Sequence, residues 1–421
     1  MIKSAGKATD PRTNLILKIL VLVILALSVL FNAYQLLHFV DNNSSLLRGG
    51  DSSVAAHTDL AATASSAVNI SSGSNDGVVI TAEKDEAIEE VIGHKREHQG
   101  YVPLSCEKYI VEHAEQLGYA SADNPMGCTI WDDPNATNVD IHKGLRSYSD
   151  DLDKYIAAVK DFQPIPDVFT SIKKGNYSVC SDTKLHPDGL SALFPSKQLS
   201  LSKSGYIEPL TPPMRFHKVC SNKGKHLMSL DYLVHDFEAM CLNLKPTSKK
   251  VLIDMGASLS FHGNAQPIVN LLAVYEKFGF HFDHIYAFEM KFTAPEKVYQ
   301  ELLPEKYFSA YHWINVGVNH QEGHKMNPLN SILQGFDEDD FIVVKLDINT
   351  SSIEVPLAKQ LLKGGENGTY HKLIDQFYFE HHVHLGELAG SWGGSMEGTV
   401  KDSLELFYGL REKGIPAHFW P

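Results

Sequence analysis

Three acids stand where strand-like runs give way to turns. VLIDMGAS puts Asp254 at the end of an apolar run and follows it with Gly256, Ala257 and Ser258. HIYAFEM ends its run on Glu289, and FIVVKLDIN ends on Asp347. INVGVNHQEG offers Asn315 and Gly317 near the tip of a further run. A glycine at such a turn lets a ligand approach the backbone closely, and Ala257 and Ser258 keep the crevice open. A carboxylate there accepts hydrogen bonds from a cationic amino group, from ordered water, or from the paired hydroxyls of a ribose. Each motif alone also suits an ordinary strand-to-helix turn. Acids or small residues at successive strand ends, however, are hard to explain as packing. G-x-G-x-x-G and Walker sequences are absent, which removes the dinucleotide and nucleoside-triphosphate fingerprints.

A second group lies in FYFEHHVHLGE, where Glu380, His382 and His384 alternate. On a strand they share one face, with His381 on the other. One reading is a general base for an acceptor hydroxyl, since histidine titrates near neutral pH. A second is an E-x-H-x-H metal set, and a third is a polar strand end that is hydrogen-bonded and chemically idle. We assign no metal ligands. The following GSWGGSMEG is glycine-rich, either a lid over the acceptor or a plain connection, and Trp392 in it is a candidate for stacking on a sugar. His235 and Asp236 precede the first strand and read as local structure. FDEDD, residues 336–340, supplies an Asp337/Asp339 pair but precedes a strand, as a solvated charge run would.

These residues need an alternating scaffold, and from residue 241 onward the chain has one. VLIDM, HIYAFEM, YHWINVGV, FIVVKLDI and DQFYFEHHVHL read as strands. PIVNLLAVYEKFG, APEKVYQELL, SIEVPLAKQLLKG and TVKDSLELFYGLREKG read as the intervening helices. Such alternation predicts an α/β fold, a mainly parallel sheet with helices on both faces and ligands at the carboxyl ends of its strands.

VLIDMGAS, IYAFEM, INVGVNHQEG, VVKLDI and FYFEHHV, in that order, resemble the class I S-adenosylmethionine-dependent methyltransferases, and the FkbM type most of all. The resemblance covers about residues 230–421. It implies a Rossmann-like methyltransferase sheet with S-adenosylmethionine as cofactor. It implies Asp254, Gly256 and Ala257 along the methionine side, Glu289 on the ribose, and Asp347 facing the methyl group and acceptor. Asn315 joins the cofactor set, and Glu380, His382 and His384 join Asp347 as catalytic candidates. Two departures concern the acceptor side. The family pattern V-E-G-x-E after K-x-D is replaced by Ile348, Asn349, Thr350, Ser351 and Ser352, with Glu354 two places late. The chain also stops at PAHFWP, which leaves the usual last strand hairpin incomplete.

The remaining sequence bounds the setting. Residues 15–40, LILKILVLVILALSVLFNAYQLLHFV, are long and apolar enough to span a bilayer. Lys3, Lys7 and Arg12 before the span predict a cytosolic tail at 1–14 and a lumenal body, a type II topology. A cleaved signal peptide is the competing reading. Residues 41–98 have the Ser-, Ala- and Asp-rich composition of a stem. Residues 99–240, loop-rich, form an accessory region before the domain at 241–421. Five cysteines, Cys106, Cys128, Cys180, Cys220 and Cys241, allow two disulfides and one free thiol in an oxidising lumen. Sequons at Asn42, Asn43, Asn69, Asn135, Asn176, Asn349 and Asn367 fit a glycoprotein. A formal charge of −14 argues against nucleic-acid binding.

The expectation is therefore a membrane-anchored methyltransferase of the Golgi or endoplasmic reticulum. It would methylate a hydroxyl of a glycan or another small acceptor. A type II glycosyltransferase and a non-catalytic lumenal binding protein of the same fold are the alternatives.

Overall fold

Lys250–Met255 and Phe341–Leu346 are six-residue runs in which every residue is buried. Strands buried on both faces belong in the middle of a parallel sheet, and these two pair with each other there, in register from Lys250 opposite Phe341 to Met255 opposite Leu346. The computed structural model describes residues 100–195, 200–202, 204–257, 267–365 and 368–421. The tail, the apolar span, the stem, Asn42, Asn43, Asn69, Asn367 and Ser258 lie outside those residues. Among the described residues, no helix is long and apolar enough to cross a membrane.

In chain order the main elements are α1 Ser105–Glu112, α2 Val139–Asp161, β1 Ser200–Ser202, β2 Gly205–Ile207, α3 Phe237–Asn243, β3 Lys250–Met255, α4 Pro267–Lys277, β4 His284–Phe288, β5 Tyr311–Ile314, β6 Phe341–Leu346, α5 Ser351–Lys363, β7 Gln376–Phe379, α6 Gly386–Trp392, α7 Val400–Glu412 and β8 Ala417–Phe419. β1 and β2 form an antiparallel pair. The other six strands form one sheet in the order β5-β4-β3-β6-β7-β8, parallel throughout. This is a Rossmann-like α/β architecture. The order reverses between β3 and β6, and the right-handed rule for parallel crossovers assigns the helices on the two sides of that point to opposite faces.

Several elements differ from expectation. PAHFWP, read only as the point where the chain stops, holds a strand: Ala417–Phe419 pairs parallel to β7 as the sixth strand of the sheet. The histidine run is not a strand. β7 stops at Phe379, and only His384 makes an isolated bridge, to Thr399. APEKVYQELL forms one helical turn, Pro295–Lys297, followed by a π turn, Val298–Leu302. Within the region read as loop-rich, DDLDKYIAAVKDF ends the 23-residue α2, which begins where the Asn138 side chain accepts the Ile141 amide at 2.9 Å.

Residues 100–240 share their core with the sheet, since one apolar cluster runs from Leu104 to Trp420. Cys128–Cys220 and Cys180–Cys241 are disulfides, and Cys106 is free and buried. Arg411 on α7 ties the two parts together. Fully buried, it pairs with Glu107 at 3.4 Å and Glu208 at 3.5 Å, and its Nε donates to the Ala417 carbonyl at 2.9 Å. Two carboxylates and the carbonyls of Glu208 and Ala417 compensate a cation that would otherwise be costly to bury.

Candidate active site

A cleft of about 280 Å³ opens at the carboxyl ends of the strands, at the point where the strand order reverses. Its walls come from four strand ends. Gly256 follows β3, Phe288–Lys291 end β4, Val316–Val318 follow β5, and Lys345 and Asp347–Thr350 end β6. Met228, Pro267, Ile268, Ile353, Trp420 and Pro421 complete it.

The floor is an ion cluster. Lys345 Nζ lies 3.1 Å from Asp254 Oδ1 and 3.4 Å from Asp347 Oδ2, and donates to the Gly256 carbonyl at 2.8 Å. Trp420 Nε1 donates to the same Asp347 Oδ2 at 3.1 Å. Asp254 is completely buried, and burial raises its pKa against the pull of Lys345. Burial also works against the Lys345 charge, but the two carboxylates outweigh it and raise its pKa, so it stays cationic. Both partners of Asp347 sit on Oδ2, which leaves Oδ1 for a ligand.

Gly256 has φ +92°, and a Cβ there would stand 1.6 Å from the Asp347 carbonyl oxygen. Only glycine lets the turn after β3 press against the end of β6. The amides of Gly256 and Ala257 both donate to the Phe288 carbonyl at 2.9 Å, which joins this turn to β4.

The expected cofactor residues therefore divide. Gly256 and Glu289 line the cleft. Asp254 lies behind it, holding Lys345, and Ala257 is buried. Asn315 pins the loop after β4. Its Nδ2 donates to the carbonyls of Glu289 at 2.6 Å and Lys291 at 3.0 Å, and its Oδ1 accepts the Thr293 amide at 3.0 Å. Glu289 itself accepts the Lys291 amide at 2.6 Å.

The catalytic candidates divide as well, and only Asp347 lines the cleft. Glu380 and His382 form a buried cluster beyond it. Glu380 Oε1 accepts from Arg215 and, at 2.9 Å, from Trp392 Nε1. Glu380 Oε2 lies 3.0 Å from His382 Nε2, outside hydrogen-bond alignment. The opposite ring nitrogen of His382 is 2.5 Å from Ser395 Oγ. Burial, reinforced by the Arg215 charge, outweighs the carboxylates of Glu354 and Asp347 and lowers the His382 pKa, keeping the ring neutral. His384 does not join this group, because the chain has left the strand geometry that would align the three. Among the described residues no three His, Cys, Asp or Glu side chains come together as metal ligands. Trp392 is buried, its indole nitrogen bonded to Glu380 and its ring stacked on His382 at 5.1 Å, so it offers no face to a sugar.

Other motifs have structural employment. His235 Nε2 meets the Tyr378 hydroxyl at 2.6 Å in the core, and Asp236 caps α3 through the Ala239 amide at 3.0 Å. The acids of FDEDD precede β6, at the end of the sheet opposite the cleft. Asp340 accepts the Lys249 amide at 2.7 Å, and Asp337 accepts the Asp339 amide at 3.0 Å.

Sequence reasoning missed Lys291, Met228 and Trp420 as parts of the cleft. Nothing local marks Trp420, because it reaches Asp347 only when β8 adds to the far side of β7. Compared with known protein families, curated proteins and solved structures, the chain matches none.

Proposed function

We propose that this protein is a membrane-anchored S-adenosylmethionine-dependent O-methyltransferase of the class I, FkbM-like type. Its acceptor would be a hydroxyl on a glycan or another small molecule of the secretory pathway. The observation that carries this reading is Glu289, an acid at the end of the strand beside β3, sharing one cleft with Gly256 and Asp347. The cleft is close in size to the lower end of small-molecule sites. Glu289 and Asp347 give the cleft two acids, and Lys345 on its floor is offset by Asp254 and Asp347, so a sulfonium at the floor would meet no uncompensated cation there; Lys291 stands on the wall after β4.

In this reading Glu289 takes the ribose hydroxyls, and Gly256 gives close approach to the backbone. The bound cofactor supplies an electrophilic methyl group. Asp347 Oδ1 accepts the hydrogen bond of the acceptor hydroxyl and orients its oxygen, while Lys345 and Trp420 hold Oδ2. Most of the rate would come from that orientation in a partly desolvated crevice. Glu380 and His382 act behind this surface, as support for the acceptor side. The apolar span at 15–40 and the two disulfides support a type II protein with its body in an oxidising lumen of the Golgi or endoplasmic reticulum.

The test is calorimetric titration of the detergent-solubilised full chain with S-adenosylmethionine, with Glu289→Ala alongside. The expected result is saturable binding, at least about tenfold weaker in the variant. A folded wild-type protein that fails to bind would refute the proposal.

A further inference from the structure

We infer that Glu354 is a positioning residue of the cleft: as a carboxylate it holds the loop Asp347–Thr350 in shape for a ligand, and on protonation it releases that loop. In its ligand arm this rests on the function proposed above; in its loop arm it does not.

The geometry is specific. Glu354 lies in the first turn of α5 and is almost completely buried. Its side chain turns back along the helix and takes two amides of the preceding loop. Oε1 accepts the Ile348 amide at 2.7 Å, and Oε2 accepts the Thr350 amide at 3.1 Å. Between them stands Asn349, at φ +55°, a left-handed conformation that a side chain other than glycine adopts at a cost. Ile348, Asn349 and Thr350 all line the cleft. One carboxylate therefore spans a strained turn that forms a wall of the site. Only an ionised carboxylate presents both oxygens as acceptors without a competing proton. An amide would turn a donor toward one of the two amides, and a neutral acid would lose the charge that strengthens both bonds.

Burial pushes the Glu354 pKa up to about 7, reinforced by Asp347 at the end of β6 and opposed by the two loop amides; His382, after β7, would oppose it only in its protonated form. The start of α5 also favours the anion. A carboxyl raised in the folded state favours folding most when protonated. That contribution is present below the ordinary carboxylate range and is lost as pH rises through about 7. Loop order and global stability are thus driven in opposite directions by the same proton.

The experiment compares wild type with Glu354→Gln, both as the full chain, at pH 6 and pH 8. Hydrogen exchange, corrected for its intrinsic pH dependence, reports the Ile348 and Thr350 amides. S-adenosylmethionine titration reports the cleft. Wild type is expected to lose about tenfold protection at these amides, and about tenfold cofactor affinity, on going from pH 8 to pH 6. Glu354→Gln is expected to show the low values at both pH values. Equal loop protection in wild type at both pH values, or full protection in Glu354→Gln, overturns the inference. If the variant does not fold, the wild-type pH series decides alone. If the loop responds but no cofactor binds, the methyltransferase reading fails and the role of Glu354 stands.

Discussion

Lys345→Met isolates the charge at the floor of the cleft. Lys345 and Asp254 are both essentially buried, 4% and 0% exposed, and their charges lie 3.1 Å apart. At an effective dielectric of about 20, that contact is worth about 5 kcal/mol before desolvation is counted. Removing one member of a buried pair typically costs about 3–5 kcal/mol, because the other charge stays buried alone. Methionine fills much the same volume, so the loss reports charge and not a cavity. The variant raises the folded-state pKa of Asp254 further. A raised carboxyl contributes stability below its unfolded pKa and loses it as pH rises, so the deficit should be largest at pH 8 and shrink toward pH 5. Urea denaturation of the full chain at both pH values, followed by tryptophan fluorescence, measures this. Adding Asp254→Asn to Lys345→Met should restore at least about 1 kcal/mol, by removing the stranded charge. A deficit below about 1 kcal/mol, independent of pH and unchanged in the double variant, would show that the cluster is not an ion pair in solution.

Two further outcomes follow from the same geometry. Gly256→Ala forces a side chain to φ +92° and against the Asp347 carbonyl; a stability loss of at least about 3 kcal/mol in the same denaturation assay is expected, together with loss of cofactor binding. His381 is buried, its Nδ1 without a hydrogen-bond partner, and burial lowers its pKa to about 3. A depressed histidine contributes stability above about 6.5 and loses it as pH falls, by about 1.4 kcal/mol per pH unit until the ring protonates. His381→Phe should therefore flatten the acid limb of the stability–pH profile, and an unchanged limb would contradict the buried neutral ring.

The alternation of strands and helices is legible in the amino-acid order alone, and with it a parallel sheet whose strand ends carry Asp254, Glu289 and Asp347. Burial on both faces leaves a nearly continuous apolar run in each central strand, and a polar residue that interrupts such a run at its end is visible without coordinates. The limits of that reasoning were local as well. FYFEHHVHL keeps strand-like alternation past Phe379, yet β7 ends there because its two neighbours, β6 and β8, have ended; a strand without partners has nowhere to place its amides. Which acids face the cleft depends on how the strands are paired in the folded sheet. Asp254 lies within β3, opposite Lys345, and Asp347 follows the end of β6, so the Lys345 side chain covers the first and leaves one oxygen of the second open. The same holds for Trp420 and the cysteine pairs, which reach their partners across separations that leave no periodic trace in the chain, while Glu354 meets nearby amides only because the backbone turns at Asn349.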